Sequence, residues 1–163
     1  MFRWLNLFLY VVMAVILQFT LLPAYLDDPF KPNLLIILVC YLALREDIGF
    51  AGVLLAYMLG LLHGTFSGAH FGLAGISMML IFMFLKKVAD QLYTDSDNLM
   101  IVVVFLATVV DAITSMLFIL LFSSSTAVYN SILTNLLPQA AVNALVASLF
   151  FVFTPFCGRR SLL

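Results

Sequence analysis

The sequence has 163 residues, 65% of them hydrophobic and 9% charged, with a formal net charge of -1 and a mean hydropathy of +1.20. Soluble domains carry about 25% charged residues. A chain of this size cannot hide so much apolar surface from water, so its solvent is lipid. Near-neutrality, a single Trp and the lack of basic runs give no reason to expect a nucleic-acid partner.

The first apolar run covers about 4–22 and follows Arg3. It is longer than the roughly 7–15 residues of a cleavable signal core, and "LPA" is a poor cleavage site, so it reads as a retained span. "DDPFKPN" (27–33) breaks it. The second run, "LLIILVCYLAL" (34–44), is short for a bilayer that needs about 20 residues. It is expected to extend over Phe30–Pro32, giving a span over 30–44, or to sit in thinned membrane. No charge occurs from Ile48 to Leu85. At about 1.5 Å per helical residue this stretch holds two spans, 48–62 and 71–85, with "HGTFSGAHF" as the turn. "KKVADQLYTDSDN" (86–98) is the longest polar segment. Thr94 or Ser96 can cap the next helix, whose positive N-terminal end suits Asp95 and Asp97. Span five is expected over 99–122, "SSSTAVYN" as a polar turn, and span six over 136–155 before "CGRRSLL". The expected fold is all-α: one polytopic membrane domain over 1–163 with six transmembrane helices.

Orientation follows from the basic residues. With the N-terminus inside, Arg3, Arg45, Lys86, Lys87, Arg159 and Arg160 are cytoplasmic and Lys31 alone lies outside. Both termini are therefore expected in the cytoplasm.

"GLLHGTFSGAHFG" places glycine at 60, 64, 68 and 72. Small residues four apart make a shallow groove that admits another helix. The series begins at Gly52 and Ala56, and four residues turn a helix by about 400°, so the stripe cannot stay on one straight face. Gly52, Ala56 and Gly60 line span three. Gly64, Gly68 and Gly72 shape the outer turn and the start of span four. Close packing inside the chain is the plain reading, and a partner helix in the groove is the functional one.

Asp111 is the only charged residue between Asp97 and Arg159. A carboxyl at bilayer depth is costly and marks a candidate site. Thr108, Thr114 and Ser115 lie three and four positions away, on the same face. No Lys or Arg shares its depth, so Asp111 is expected to be protonated or hydrogen-bonded to neutral groups, as an internal strut or as a proton or cation site. Gln139 and Asn143 are four apart on span six, with Ala140, Ala144 and Ser148 as a small stripe one position round. Asn143 is a candidate partner for Asp111.

His63 and His70 are placed at outer helix ends, without a third ligand for a metal. Cys40 and Cys157 form no CxxC or Cys/His pattern and read as apolar packing residues. There is no GxSxG, no HExxH, no phosphate-cradling loop and no His/Asp pair expected at one depth. Ser123–Ser125 have no base nearby. Neither an enzyme nor a cofactor is expected.

Three stretches resemble the bacterial rod shape-determining MreD family. "KPNLLIILVCYLALRE" resembles its Pro-led, Leu-rich second span ending in basic residues. "GFAGVLLAYMLGLLHGTFSGAHFGLAGI" is similar to its Gly-spaced hairpin. "LPQAAVNALVASLFFVFTPF" resembles its last span, with a mid-span Asn and two prolines. Length and six-span layout also match. Members often carry an acid where this chain has Gly64, so that acid is not required here, whereas an acid at the place of Asp111 is compatible with the family. The resemblance implies an inner-membrane protein of the cell-elongation machinery that synthesises peptidoglycan. It implies an MreC-like partner and work alongside RodA, a class B penicillin-binding transpeptidase and the MreB cytoskeleton. It also implies a fold similar to the S-components of energy-coupling-factor transporters. A scaffold binding a membrane helix is thus set against a transporter component that binds a small solute. The only set of polar groups for the latter is Asp111, Thr108, Asn143 and Gln139.

Overall fold

The computed structural model describes residues 2–26, 30–45, 48–67, 72–91, 97–122 and 126–153. Gly68, His70, Thr94, Asp95, Ser96, Ser123–Ser125, Cys157, Arg159 and Arg160 lie outside the described residues.

Every described element is helical: α1 (Phe2–Ile16), a widened turn over Leu17–Leu21, α2 (Leu22–Tyr25), α3 (Leu34–Arg45), α4 (Gly49–Ser67), α5 (Leu73–Gln91), α6 (Asp97–Phe122) and α7 (Thr126–Phe153). The first three form one rod, so the described residues form six helices. Four stretches, Phe8–Tyr25, Gly49–Phe66, Met100–Phe118 and Asn130–Leu149, are long and apolar enough to cross a membrane. This is a polytopic membrane protein.

Pro23 explains the widened turn. It has no N–H for the carbonyl of Phe19, and its ring crowds that carbonyl. The chain relaxes into π geometry over Leu17–Leu21, and the Leu22 N–H reaches back five residues to Leu17 O. Such insertions turn side chains off the regular stripe, and here Gln18 is swung into the protein, 4% exposed.

α3 is the hub. It packs on α1, α4, α5, α6 and α7, and Leu35–Cys40 are all buried. With 12 residues it is about 18 Å long, against a hydrocarbon core of about 30 Å. The expected helical extension over Phe30–Pro32 does not occur: the helix begins at Leu34, and residues 30–33 are non-helical. Pro32 disfavours helix at Lys31. Non-helical backbone at membrane depth is tolerated where protein surrounds it, and Pro32 and Asn33 are buried. Protein thus surrounds the start of this short helix.

Three other boundaries move outward. α4 runs to Ser67, so His63 and Gly64 are helical rather than part of the turn, and Thr65 Oγ1 donates back to Leu62 O at 2.7 Å. α5 continues through Lys86 and Lys87 to Gln91. α7 starts at Thr126, ten residues before the expected 136. Its polar residues bond within their own helix, Thr134 Oγ1 donating to Asn130 O at 3.0 Å and Asn135 Nδ2 to Ser131 Oγ at 3.4 Å. Local bonding of this kind satisfies polar side chains without ending a helix.

α4 and α5 run antiparallel, and glycines set their closeness. A Cβ at Gly60 would overlap the Ala74 carbonyl oxygen and lie 2.6 Å from Gly75 Cα. One at Gly52 would enter the ring of Phe82, a fully buried side chain. At Gly64 the nearest atom would be Ala74 Cβ at 3.6 Å, an ordinary contact. Gly72, with φ +90°, makes the turn into α5, a conformation that glycine adopts without a steric penalty. Ala56 is buried in the core.

Candidate functional site

A layer of polar side chains crosses the bundle at the depth where α3 begins. Gln18 Oε1 accepts the Leu35 N–H at 3.0 Å, and Gln18 Nε2 donates to Asn33 Oδ1 at 3.2 Å. Asn33 is the N-cap of α3, its Oδ1 accepting the Ile36 N–H at 3.3 Å. Its own backbone N–H donates to Asn143 Oδ1 at 2.7 Å. Asn143 Nδ2 donates to Thr108 Oγ1 at 3.0 Å, and Thr108 donates to Val104 O at 2.9 Å. Gln18 Nε2 also lies 3.1 Å from His63 Nδ1. Since Nε2 of an amide only donates, Nδ1 accepts and the His63 proton sits on Nε2. One network therefore ties the first rod, the entry to α3, α4, α6 and α7 together.

The chemistry is that of a helix start far from water. The first N–H groups of a helix have no partner within it, and an unpaired amide in an apolar medium costs about 2–7 kcal/mol. Leu35 and Ile36 are satisfied by side chains, and Ile37 by the Asn33 carbonyl at 3.3 Å.

Asp111 sits beside this layer. Ser77 Oγ of α5 donates to its Oδ1 at 2.5 Å, and Asp111 and His63 lie close enough to interact electrostatically. Two expectations change here. Asn143 does not pair with Asp111; it meets Thr108, one helical turn away, because its other arm is held by Asn33. His63, expected at an outer helix end, joins the network through Gln18 and lies near Asp111. The stripe around Asp111 divides. Thr108 joins the network, Thr114 Oγ1 donates to its own Val110 O at 2.7 Å, and Ser115 has no hydrogen-bond partner among the described residues. Gln139 likewise has none, and its side chain is half-buried. Ala140 is buried, Ala144 and Ser148 are half-buried, and Ser148 Oγ donates to Leu145 O at 2.8 Å. Among the described residues no group of three or more His, Cys, Asp or Glu could hold a metal.

Asp111→Asn is expected to leave stability unchanged, because the amide oxygen still accepts from Ser77. Asp111→Leu leaves Ser77 without its acceptor and should lower stability by about 1 kcal/mol, the scale of intramembrane hydrogen bonds. Thermal unfolding of the two variants in one detergent checks this.

Sequence reasoning missed Gln18, Asn33 and Ser77. Asn33 carried a signal, a capping residue directly before an apolar run and after Pro32. Gln18 carried a weaker one, an amide five residues before a proline at the end of the first apolar run. Ser77 carried none, being the single hydroxyl of the expected span 71–85.

The family model of the rod shape-determining protein MreD matches residues 1–157. No curated protein and no solved structure matches the chain. With nearly the whole length matched by one family model, the chain belongs to the MreD family of rod shape-determining proteins.

Proposed function

We propose that the chain is a non-enzymatic scaffold of the cell-elongation machinery in the bacterial cytoplasmic membrane. Its termini face the cytoplasm, and it binds an MreC-like single-span partner. Through that partner it works with RodA, the class B penicillin-binding transpeptidase and the MreB cytoskeleton. Family membership supplies the role in rod shape determination, in a family of structural shape-determining proteins.

One observation supports the scaffold reading most. Every buried side-chain nitrogen or oxygen among the described residues has a partner within the chain. Gln18, Asn33, Asn143 and Thr108 are committed to holding the start of α3, which leaves the outward helix faces for contact with other proteins. A solute site would draw on Asp111, Thr108, Asn143 and Gln139, but Thr108 and Asn143 are already joined to each other and to Asn33.

Depletion of the chain in a rod-shaped host should give round cells, and rods that persist through depletion would overturn the reading. The orientation has its own test. A reporter after Arg160 should behave as cytoplasmic and one within Ser123–Ser125 as periplasmic, and the reverse pattern would invert the topology.

A further inference from the structure

Asp111 and His63 face the inside of the bundle yet are not sealed in it. On α6, Asp111 continues the buried series Met100, Val104 and Ala107, and on α4 His63 continues Ala56 and Leu59, the three- and four-residue spacing of one helix face. Both side chains are nevertheless only half-buried, so they border an opening in the interior rather than lipid. That opening lies towards the end at which α4 turns into α5. His63 stands four positions before Ser67, the last residue of α4, and Ser77 four positions after Leu73, the first of α5, about 6 Å along either helix. Ser115, one turn further towards that end on α6, is also half-buried and adds a hydroxyl to the route. In the other direction the pair meets buried apolar side chains, Met78 and Phe82 of α5 and Val104 and Ala107 of α6.

The donors and acceptors around the pair decide where a proton can sit. Gln18 Oε1 accepts the Leu35 N–H at 3.0 Å, which fixes the amide so that Nε2 donates to His63 Nδ1 at 3.1 Å. A second proton on the ring would have to enter at Nδ1, where it would meet that donor. The ring thus offers its surroundings Nε2–H alone. Ser77 Oγ donates to Asp111 Oδ1 at 2.5 Å, within the range of a hydroxyl bonded to a carboxylate, and Asp111 interacts electrostatically with His63. The carboxyl oxygens are therefore where a further proton is taken up without breaking the bond from Gln18. The elements packed around the pair bring few other titratable groups. α3 brings Cys40, within electrostatic reach of Asp111, with Tyr41 and Arg45 further along. α5 keeps Lys86, Lys87 and Asp90 nine or more positions beyond Ser77, and α7 has Tyr129 fourteen positions before Asn143. The first rod has Tyr10 and Tyr25 eight and seven positions from Gln18, and α4 itself has Tyr57 six positions before His63.

We propose that Asp111 is a proton-binding site, loaded and unloaded from the end of the bundle at which α4 turns into α5. Unloaded, the carboxylate accepts from Ser77 and lies near His63 Nε2–H. Loaded, one proton from water sits on a carboxyl oxygen and the acid is neutral, while His63 keeps its single proton and the bond from Gln18. A carboxyl among apolar helices is costly, and these donors are what make its ionised form tolerable. With polar groups on one side of the pair and apolar packing on the other, the site responds to proton concentration on one side and does not carry protons across. The proposal does not depend on the scaffold reading. Only the identity of that side as the outside rests on the orientation proposed above.

The test uses the full chain in liposomes, with a cleavable C-terminal tag that reports vesicle orientation. Difference infrared spectra are recorded as the pH is stepped over the range in which the chain stays folded. The wild type should show a carboxylic-acid C=O band that appears with acid and vanishes with base, and Asp111→Asn should lose it. Asp111→Glu keeps the acid and should keep the band at a displaced frequency, which reads the site even where Asn prevents folding. The band should follow the pH on the side of the α4–α5 turn and ignore the other side. In a His70→Gln background, nitrogen-15 spectra of His63 should show Nε2 as the one protonated ring nitrogen throughout. Identical difference spectra for wild type, Asp111→Asn and Asp111→Glu would make Asp111 a permanent strut and overturn the site. A band that follows the pH of the other side would overturn the one-sided access. A second proton arriving on His63, with no band from Asp111, would overturn the assignment of the proton to the carboxyl.

Discussion

Asn143→Leu is expected to be among the most damaging single substitutions in this protein. The side chain is fully buried and makes two bonds of different kind. Its oxygen accepts the backbone N–H of Asn33, and its amide donates to Thr108. Leucine fills the space but leaves the Asn33 N–H unpaired at the buried entry to α3. A buried donor or acceptor without a partner costs roughly 1–3 kcal/mol, so the loss should reach about 2–4 kcal/mol. Thr108→Val removes only the acceptor of the second bond and should cost about 1 kcal/mol. The double variant should be less destabilised than the sum of the two, since residues in one network do not act independently. Denaturant unfolding of all three in a single detergent measures the coupling. Strict additivity would mean that the network does not hold the helix start as a unit.

Gly60→Ala is the second large effect, and it comes from backbone rather than polar groups. The new methyl would press on the Ala74 carbonyl and the Gly75 Cα, which cannot rotate aside as a side chain can. α4 and α5 would have to separate, at a cost of about 1–3 kcal/mol. Gly64→Ala is the contrast. Its methyl meets Ala74 Cβ at an ordinary 3.6 Å, and alanine is the better helix former by roughly 1 kcal/mol. That variant should be neutral or stabilising. Thermal melts of the pair check the ranking, and equal losses at both positions would show that helix separation is not what Gly60 controls.

These two effects mark how far the sequence could be read. The glycine spacing declared a close approach, and helical geometry showed that no single face could hold the whole stripe. It did not name the opposing atoms, because Ala74 and Gly75 are adjacent only once the hairpin is folded. The amides were legible unevenly. Asn143 stood out as a mid-span polar residue, yet its partners lie 35 and 110 positions away in sequence. No periodicity within one span reports on such distances. Gln18 was hidden for another reason: regular helical spacing misplaces its side chain, and the π turn before Pro23 redirects it. Spans built of apolar periods were readable, but their ends were not. Hydropathy marks where charges begin and cannot tell that Thr134 and Asn135 will bond within their own helix. The shortness of the second run was visible at once, but its meaning was not. α3 can begin inside the bundle because five other segments surround it, and that is a property of the assembled bundle.

The scaffold reading is tested most directly by co-purification. The full-length chain and the MreC-like protein, each carrying a different tag, are expressed together, solubilised in mild detergent and passed over both tags in turn. The prediction is a complex that survives both steps, with the chain folded and the partner present in a fixed ratio. A chain that elutes folded and monodisperse without the partner, in cells that it keeps rod-shaped, would contradict the account.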